Sequence, residues 1–307
     1  MSQEKKASGF LLVDKPSGAS SFRAIGKIKR FFKPLKVGFA GTLDPDATGL
    51  LVVGIGRGTR LMSYIESDRK VYEFDMVPGI TTDTYDTSGE VLSRSDYSQI
   101  TEAQLKKVMD GFMGCIDQMP PVYSAIKVKG KRACDRVRAG EEVQLKSRPV
   151  TIYSLKLLNW GKEQWRFELV CSKGTYVRSL VHDMGQQLGC GATTANIRRT
   201  SIGTLSVNGA LKGEVEDYTP HLMPLEIALK DLPQITLTDQ EGLDFLHGKK
   251  ITLPEKRLTD LPETANEIKL YSESGDLLAL GRVDEEGLLR PRIVLEDPEY
   301  YLNKLPQ

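Results

Sequence analysis

The chain has 307 residues, 40% hydrophobic and 27% charged, with 42 Lys and Arg against 41 Asp and Glu. That length holds one large domain with a real core plus a small appendage, and the composition is ordinary for a globular protein. No run approaches the roughly 18 apolar residues of a membrane helix, and the short polar N-terminus lacks a secretory h-region, so the expected setting is the cytoplasm. Cys115, Cys134, Cys171 and Cys190, with His182, His221 and His247, are too scattered for a zinc site; the cysteines are expected as buried thiols. The charge is uneven: residues 214–307 hold 10 basic against 20 acidic residues, leaving 32 against 21 in 1–213. This suggests a polyanion bound mainly by the first two-thirds, although two differently solvated surfaces would produce the same numbers.

In chain order, GFLLVDKPSG predicts a short buried strand ending in a Pro-Gly turn. Ser20 or Ser21 then caps a helix to about Phe32, with Phe22, Ile25, Ile28 and Phe32 at helical spacing. From Pro16 to Leu43 there is no acid, while Arg23, Lys27, Lys29, Arg30, Lys33 and Lys36 all fall in that window. A solvated helix face mixes signs, so this stretch reads as a phosphate-facing surface. GFAGTLDPDATG is too punctuated by Gly and Pro for helix or strand, and LLVVGIG after it reads as a buried strand. KVYEFDMVPG alternates like a strand; residues 101–113 predict a surface helix; QMPPVYSAIKVKGKRACDRVRAG is a loop or hairpin rich in Lys and Arg. Strands are expected at about 150–160 and 165–172. KGTYVRSLVHDMGQQLG then puts Val177, Leu180, Val181, Met184 and Leu188 on one helical face. Beyond about residue 232, short strands with ESGD and EEG turns suit a small β-barrel.

The candidate chemical centre is Asp44 in GTLDP, between Gly41 and Pro45, where backbone geometry can hold a carboxylate in one orientation. Asp before Pro is also a common turn former. Arg178, in the first turn of an amphipathic helix beside Val177 and Leu180, is expected half-buried, and a buried guanidinium wants a carboxylate partner. Asp44 could be that partner. Tyr72 and Tyr176 offer ring faces on which a flipped base could stack, though isolated tyrosines in a strand and a helix are more often core.

Taken together these segments resemble the TruB family of pseudouridine synthases. DKPSGASS is similar to its first motif, VGFAGTLDPDATGLLVVGIGRGT to its catalytic motif and KVYEF to its substrate-stacking strand. PPVYSAIKVKGKRACDRVRAG is similar to its RNA-gripping thumb, and KGTYVRSLVHDMGQQLGCGATTANIRRTSIG to its arginine motif. Five motifs in order over about 200 residues are far more specific than any one pattern.

The resemblance implies an isomerase that converts the T-arm uridine of tRNA, position 55, to pseudouridine by base flipping, with no cofactor, no metal, no obligate protein partner and a monomeric state. It implies an α+β fold with a mixed, mostly antiparallel central sheet over 8–232, a thumb insertion at about 119–147 and a PUA-like β-barrel over 233–307. Asp44 matches the catalytic aspartate, serving as nucleophile or base. Tyr72 matches the stacking tyrosine proposed to take the C5 proton, and Arg178 the arginine that pairs with the aspartate. Tyr176 and Ile197 match the uridine pocket, where the family often has Leu at the latter. Phe39 stands where bacterial members commonly carry a histidine that helps displace the target nucleotide; its ring can fill space and stack but cannot hydrogen-bond. RNA contacts are expected from Lys15, Arg23, Lys27, Lys29 and Arg30, from the thumb's Lys127, Lys129, Lys131 and Arg132, and from Arg198 and Arg199; Lys15 and Pro16 also support the first motif structurally. The competing expectations are a non-catalytic RNA-folding protein, a guide-RNA-dependent synthase within a ribonucleoprotein, and a small-molecule hydrolase, for which no second carboxylate motif exists.

Overall fold

A computed structural model describes residues 8–67, 69–128, 130–254, 256–257, 261–262 and 267–305. They form two compact units that meet in sequence between Met223 and Pro224.

The first unit's early strands are β1 (Gly9–Lys15), β2 (Val37–Ala40), β3 (Thr48–Ile55), β4 (Lys70–Pro78), β5 (Ile80–Thr82), β6 (Val91–Arg94) and β7 (Gly114–Gln118). The later ones are β8 (Lys127–Val128), β9 (Lys131–Arg132), β10 (Arg148–Trp160), β11 (Trp165–Cys171), β12 (Ala192–Ile202), β13 (Leu205–Ser206) and β14 (Leu211–Lys212). Ten of them make one sheet in the order β14-β1-β3-β12-β4-β11-β10-β7, with β2 added to β3 and β13 to β12. Only β1–β14 and β3–β12 run parallel, so the sheet is mixed and mostly antiparallel, as expected. β5–β6 and β8–β9 are separate hairpins.

Strand alternation explains how two cores form on this sheet. Leu11 and Val13 of β1 pair across with Val53 and Leu51 of β3, and these four pack with Ile25, Ile28, Phe32 and Tyr218. Tyr72, Phe74 and Met76 of β4 share the other core with Phe167 and Leu169 of β11. The apolar stripe of the helix Val177–Leu188 closes that second core with Val177, Leu180, Val181 and Met184.

Three local expectations change. The helix to Phe32 is two short helices, Ser21–Ala24 and Gly26–Phe31; Gly26, a poor helix former, follows the break at Ile25, and both Ile25 and Ile28 still reach the core. GFA, expected as irregular, belongs to β2, where Phe39 pairs with Val53 and Ala40 with Val52. The helix expected over 101–113 is Glu102–Asp110, with a reciprocal capping box between Thr101 and Gln104.

The second unit has β15 (Gln234–Leu237), β16 (Ile251–Thr252), β17 (Ile268–Ser272), β18 (Leu277–Val283) and β19 (Leu288–Val294), ordered β15-β17-β18-β19-β16. It is a curled half-barrel, with no pairing between β15 and β16 among the described residues. Phe245 and Leu246 of the helix Asp239–Leu246 fill its core.

Candidate active site

Asp44 sits on the loop between β2 and β3, and that loop is tied down at several points. Lys15 is fully buried, and its ammonium donates to the carbonyls of Pro16, Ala19 and Pro45 at 2.6–2.8 Å. The Ser21 hydroxyl bonds both the N–H and the carbonyl of Leu43, at 2.9 and 3.0 Å. At the loop's other end Arg199 donates to the carbonyl of Gly41 at 2.8 Å, and Gly41 takes φ +63, a conformation that costs glycine little. The carboxylate is therefore presented by a backbone with little freedom to move.

Arg178 meets it from the helix Val177–Leu188. Its side chain is 4% exposed, and Nε lies 2.9 Å from Asp44 Oδ2. That N–H is not aligned on the oxygen as a hydrogen bond, so the contact is an ion pair. The rest of the guanidinium is fixed by aligned bonds: Nη1 donates to Thr84 O at 2.7 Å and Nη2 to Tyr123 O at 3.0 Å. Nη1 is also 3.4 Å from Asp86 Oδ2. Asp86 is in turn oriented through Oδ1 by the hydroxyls of Thr84 and Ser88 and the Ser88 N–H. Asp44 is 41% exposed at the side chain, yet protein surrounds it closely enough that burial pushes its carboxyl above the usual range. The Arg178 guanidinium draws it back, and the Asp86 charge opposes that.

Over this pair opens a small cleft, open to solvent at its mouth. Asp44, Tyr72, Tyr176, Arg178 and Ile197 all line it, so the structure brings together five residues that the sequence placed on three separate motifs. Tyr72 is 7% exposed, and burial holds its phenol above the usual range, against the opposing pull of Arg199. Tyr176 caps the arginine helix; Gln118 fixes its backbone, and the Arg148 guanidinium sits 4.8 Å from its ring centroid. Ile197 lies in a bulge of β12 between Ala195 and Arg198, where Asn196 takes φ +51 and donates to Asp75 Oδ2 at 2.7 Å. Bulges re-aim side chains. Among the described residues, no three His, Cys, Asp or Glu side chains gather as a metal cage.

The expected RNA contacts divide. Arg23, Lys27 and Arg30 are exposed; Lys27 pairs with Glu214, and the Lys29 ammonium lies 4.0 Å over the Phe22 ring. Lys127 and Lys131 are exposed on the β8–β9 hairpin, while Lys129 and the Arg132 side chain lie outside the described residues. Lys15 and Arg199 are corrections. Both are buried and spent on backbone carbonyls, so no phosphate reaches them. Arg198 is chelated by Asp14 at 2.8 and 3.0 Å. Phe39 packs against the core that contains Leu11 and Ile28 and does not line the cleft. Asp86 and Gln118 were missed: neither sits in a pattern that distinguishes it from a surface polar residue.

The chain matches the TruB family pseudouridylate synthase N-terminal domain over residues 29–177 and the pseudouridine synthase II TruB C-terminal domain over 233–295. A tRNA pseudouridine synthase B of Synechococcus sp. (strain WH7803) is 39% identical over 299 residues, covering 94% of this chain and 97% of the relative. This chain belongs to the TruB family. Another TruB relative, the tRNA pseudouridine synthase B of Clostridium perfringens (strain 13 / Type A), is 35% identical over 94% of this chain and 99% of its own length. A solved Cbf5-Nop10-Gar1 complex contains a chain with TM-score 0.68 to this one, covering 95% of this chain and 86% of that chain at 22% identity. That likeness is one of fold.

Proposed function

We propose that this TruB-family enzyme isomerises uridine 55 in the T arm of tRNA to pseudouridine, acting as a monomer in the cytoplasm without a guide RNA or protein partner. In that reaction the N1–C1′ bond breaks, the base turns, and C5 bonds to C1′; the C5 hydrogen leaves as a proton and N1 gains one, so nothing is oxidised. The observation that carries the reading is the Asp44–Arg178 pair at 2.9 Å beneath a cleft lined by two tyrosines.

The residue roles follow from that arrangement. The target base must leave its stack, at a cost of about a few kcal/mol, and the Tyr72 and Tyr176 rings offset this by stacking. Asp44 serves either as a nucleophile or as a base that removes a sugar proton; each role needs the ionised carboxylate that Arg178 favours. Tyr72 takes the C5 proton. The exposed Arg23, Lys27, Arg30, Lys127 and Lys131 hold tRNA phosphates.

The test is to incubate purified protein with a bare tRNA transcript and map pseudouridine along it. Product at position 55 without any added RNA or protein is expected, and Asp44→Asn should lose it while still binding tRNA. No product with bare tRNA would favour the guided or RNA-folding readings; full activity in Asp44→Asn would remove the aspartate from the mechanism.

A further inference from the structure

Helical spacing groups Phe22 with Ile25, Ile28 and Phe32 and predicts a buried ring. Those three are 1–4% exposed, but Phe22 is 65% exposed. The reason is local. Ser21, 1% exposed, takes the inward position and bonds Leu43 through its hydroxyl, which turns the next side chain about 100° around the helix, toward solvent. The Lys29 ammonium lies 4.0 Å over the Phe22 ring, a cation–π contact that covers one face and leaves the other to water. Gly26, between them in sequence, adds no side chain, and a Cβ there would meet nothing within 4 Å. Arg23, Arg30, Lys33 and Lys36 are exposed on the same segment, which has no acid from Pro16 to Leu43; Lys27 is paired with Glu214.

We propose that Phe22, backed by Lys29, is a platform on which an unpaired base of the bound RNA stacks, with Arg23 and Arg30 on its phosphates. This rests on the reading of the chain as a tRNA-modifying enzyme. An aromatic ring among cations is the usual means of holding single-stranded nucleic acid, and it needs no particular sequence because every base has a π face. A base within a duplex has both faces taken by its neighbours, so the one received here is unpaired. An apolar protein partner would need a contiguous apolar patch, whereas Ser21 and Arg23 flank this ring. The position also favours RNA. Ser21 bonds Leu43, and Phe22 and Asp44 are the next residues along the two segments. At consecutive Cα spacings of about 3.8 Å they lie within about 15 Å of each other, so one strand whose uridine enters the cleft over Asp44 can reach the ring.

The experiment measures the affinity of the full chain and its Phe22 variants for a tRNA transcript over a series of salt concentrations. Phe22→Leu keeps apolar bulk without a flat face and should weaken binding by about fivefold to a hundredfold. The slope of log affinity against log salt should not change, because no cation is removed. Phe22→Trp should bind at least as well as the parent chain, and tRNA should quench the indole fluorescence that it adds. Parent affinity in Phe22→Leu, or added fluorescence that tRNA leaves unchanged, overturns the inference. A benzophenone analogue of phenylalanine placed at Phe22 should cross-link to an unpaired nucleotide; a cross-link to a paired nucleotide, or to a second copy of the chain, overturns it too. Pseudouridine mapping with the unmodified protein keeps the two readings apart. Product formed by a protein indifferent to Phe22→Leu sinks the platform alone, while quenching and cross-linking without product sink the proposed reaction and uphold the platform.

Discussion

Gln118 and Tyr176 are joined by a reciprocal pair of hydrogen bonds: the Tyr176 N–H donates to Gln118 Oε1 at 2.7 Å, and Gln118 Nε2 donates to Tyr176 O at 3.0 Å. Gln118 ends β7 at the edge of the sheet and is 1% exposed. Its amide therefore substitutes for a further residue of ladder pairing and sets where the arginine helix begins. Arg178 follows two residues later, so its reach to Asp44 depends on this clamp.

Gln118→Ala should cost about 1–3 kcal/mol of stability, because it leaves two backbone groups unpaired. Its effect on catalysis should fall on kcat, with tRNA affinity little changed, because the helix start that carries Arg178 is displaced rather than any phosphate contact. Denaturant melts with single-turnover kinetics check both; an unchanged kcat would mean that the helix is set by its apolar face alone.

Arg178→Met should destabilise the fold by about 3–5 kcal/mol, since Thr84 and Tyr123 carbonyls and the Asp86 carboxylate lose a buried partner. Arg178→Lys keeps a charge but cannot span those acceptors, and a loss of more than about a hundredfold in rate is expected. The pH dependence has a defined sign. Burial already raises the Asp44 carboxyl and Arg178 opposes that rise, so weakening the arginine raises it further. Activity that needs the carboxylate is lost as pH falls through that value, and the acid limb of the rate profile should therefore move to higher pH in Arg178→Lys. An unmoved limb would detach Asp44 ionisation from Arg178.

Asp183, on the same helix, is pushed up to about 6 by burial alone. A carboxyl raised in the folded state means that the folded protein binds the extra proton, so this group destabilises the fold as pH rises from about 4 through about 6. Asp183→Asn should raise the melting temperature by about 2 °C at pH 8 and by nothing near pH 4. Equal gains at both values would point to new hydrogen bonding instead.

Lys127→Ala with Lys131→Ala removes two exposed cations from the β8–β9 hairpin. If each meets a phosphate, the slope of log affinity against log salt should fall by about 1 per lysine. A weaker affinity with an unchanged slope would place the hairpin off the backbone.

Much of the site could be read from local patterns. The Gly-and-Pro-bounded Asp44, the alternating strand with Tyr72 and the apolar helix stripe beside Arg178 each express a short-range rule, and each held. β12 was not read as a strand, because TTANIRRTSI mixes polar residues and its two register shifts break the alternation that marks a strand. Lys15 and Arg199 looked like phosphate ligands because charged side chains are rarely buried, and no pattern along a chain counts the carbonyls that await them.

The sequence alone determined the period of the elements that present Asp44, Tyr72 and Arg178, since that depends on residues within a turn or a strand of one another. The tertiary structure decided which cations face inward, that Arg198 is held by Asp14 while Arg199 meets the Asp44 loop, that Phe39 packs in a core, and that Asp86 and Gln118 complete the arginine's surroundings. Those outcomes rest on strand order and on pairing between distant segments. There the free energy of burying a charge is settled by acceptors contributed from elsewhere in the fold.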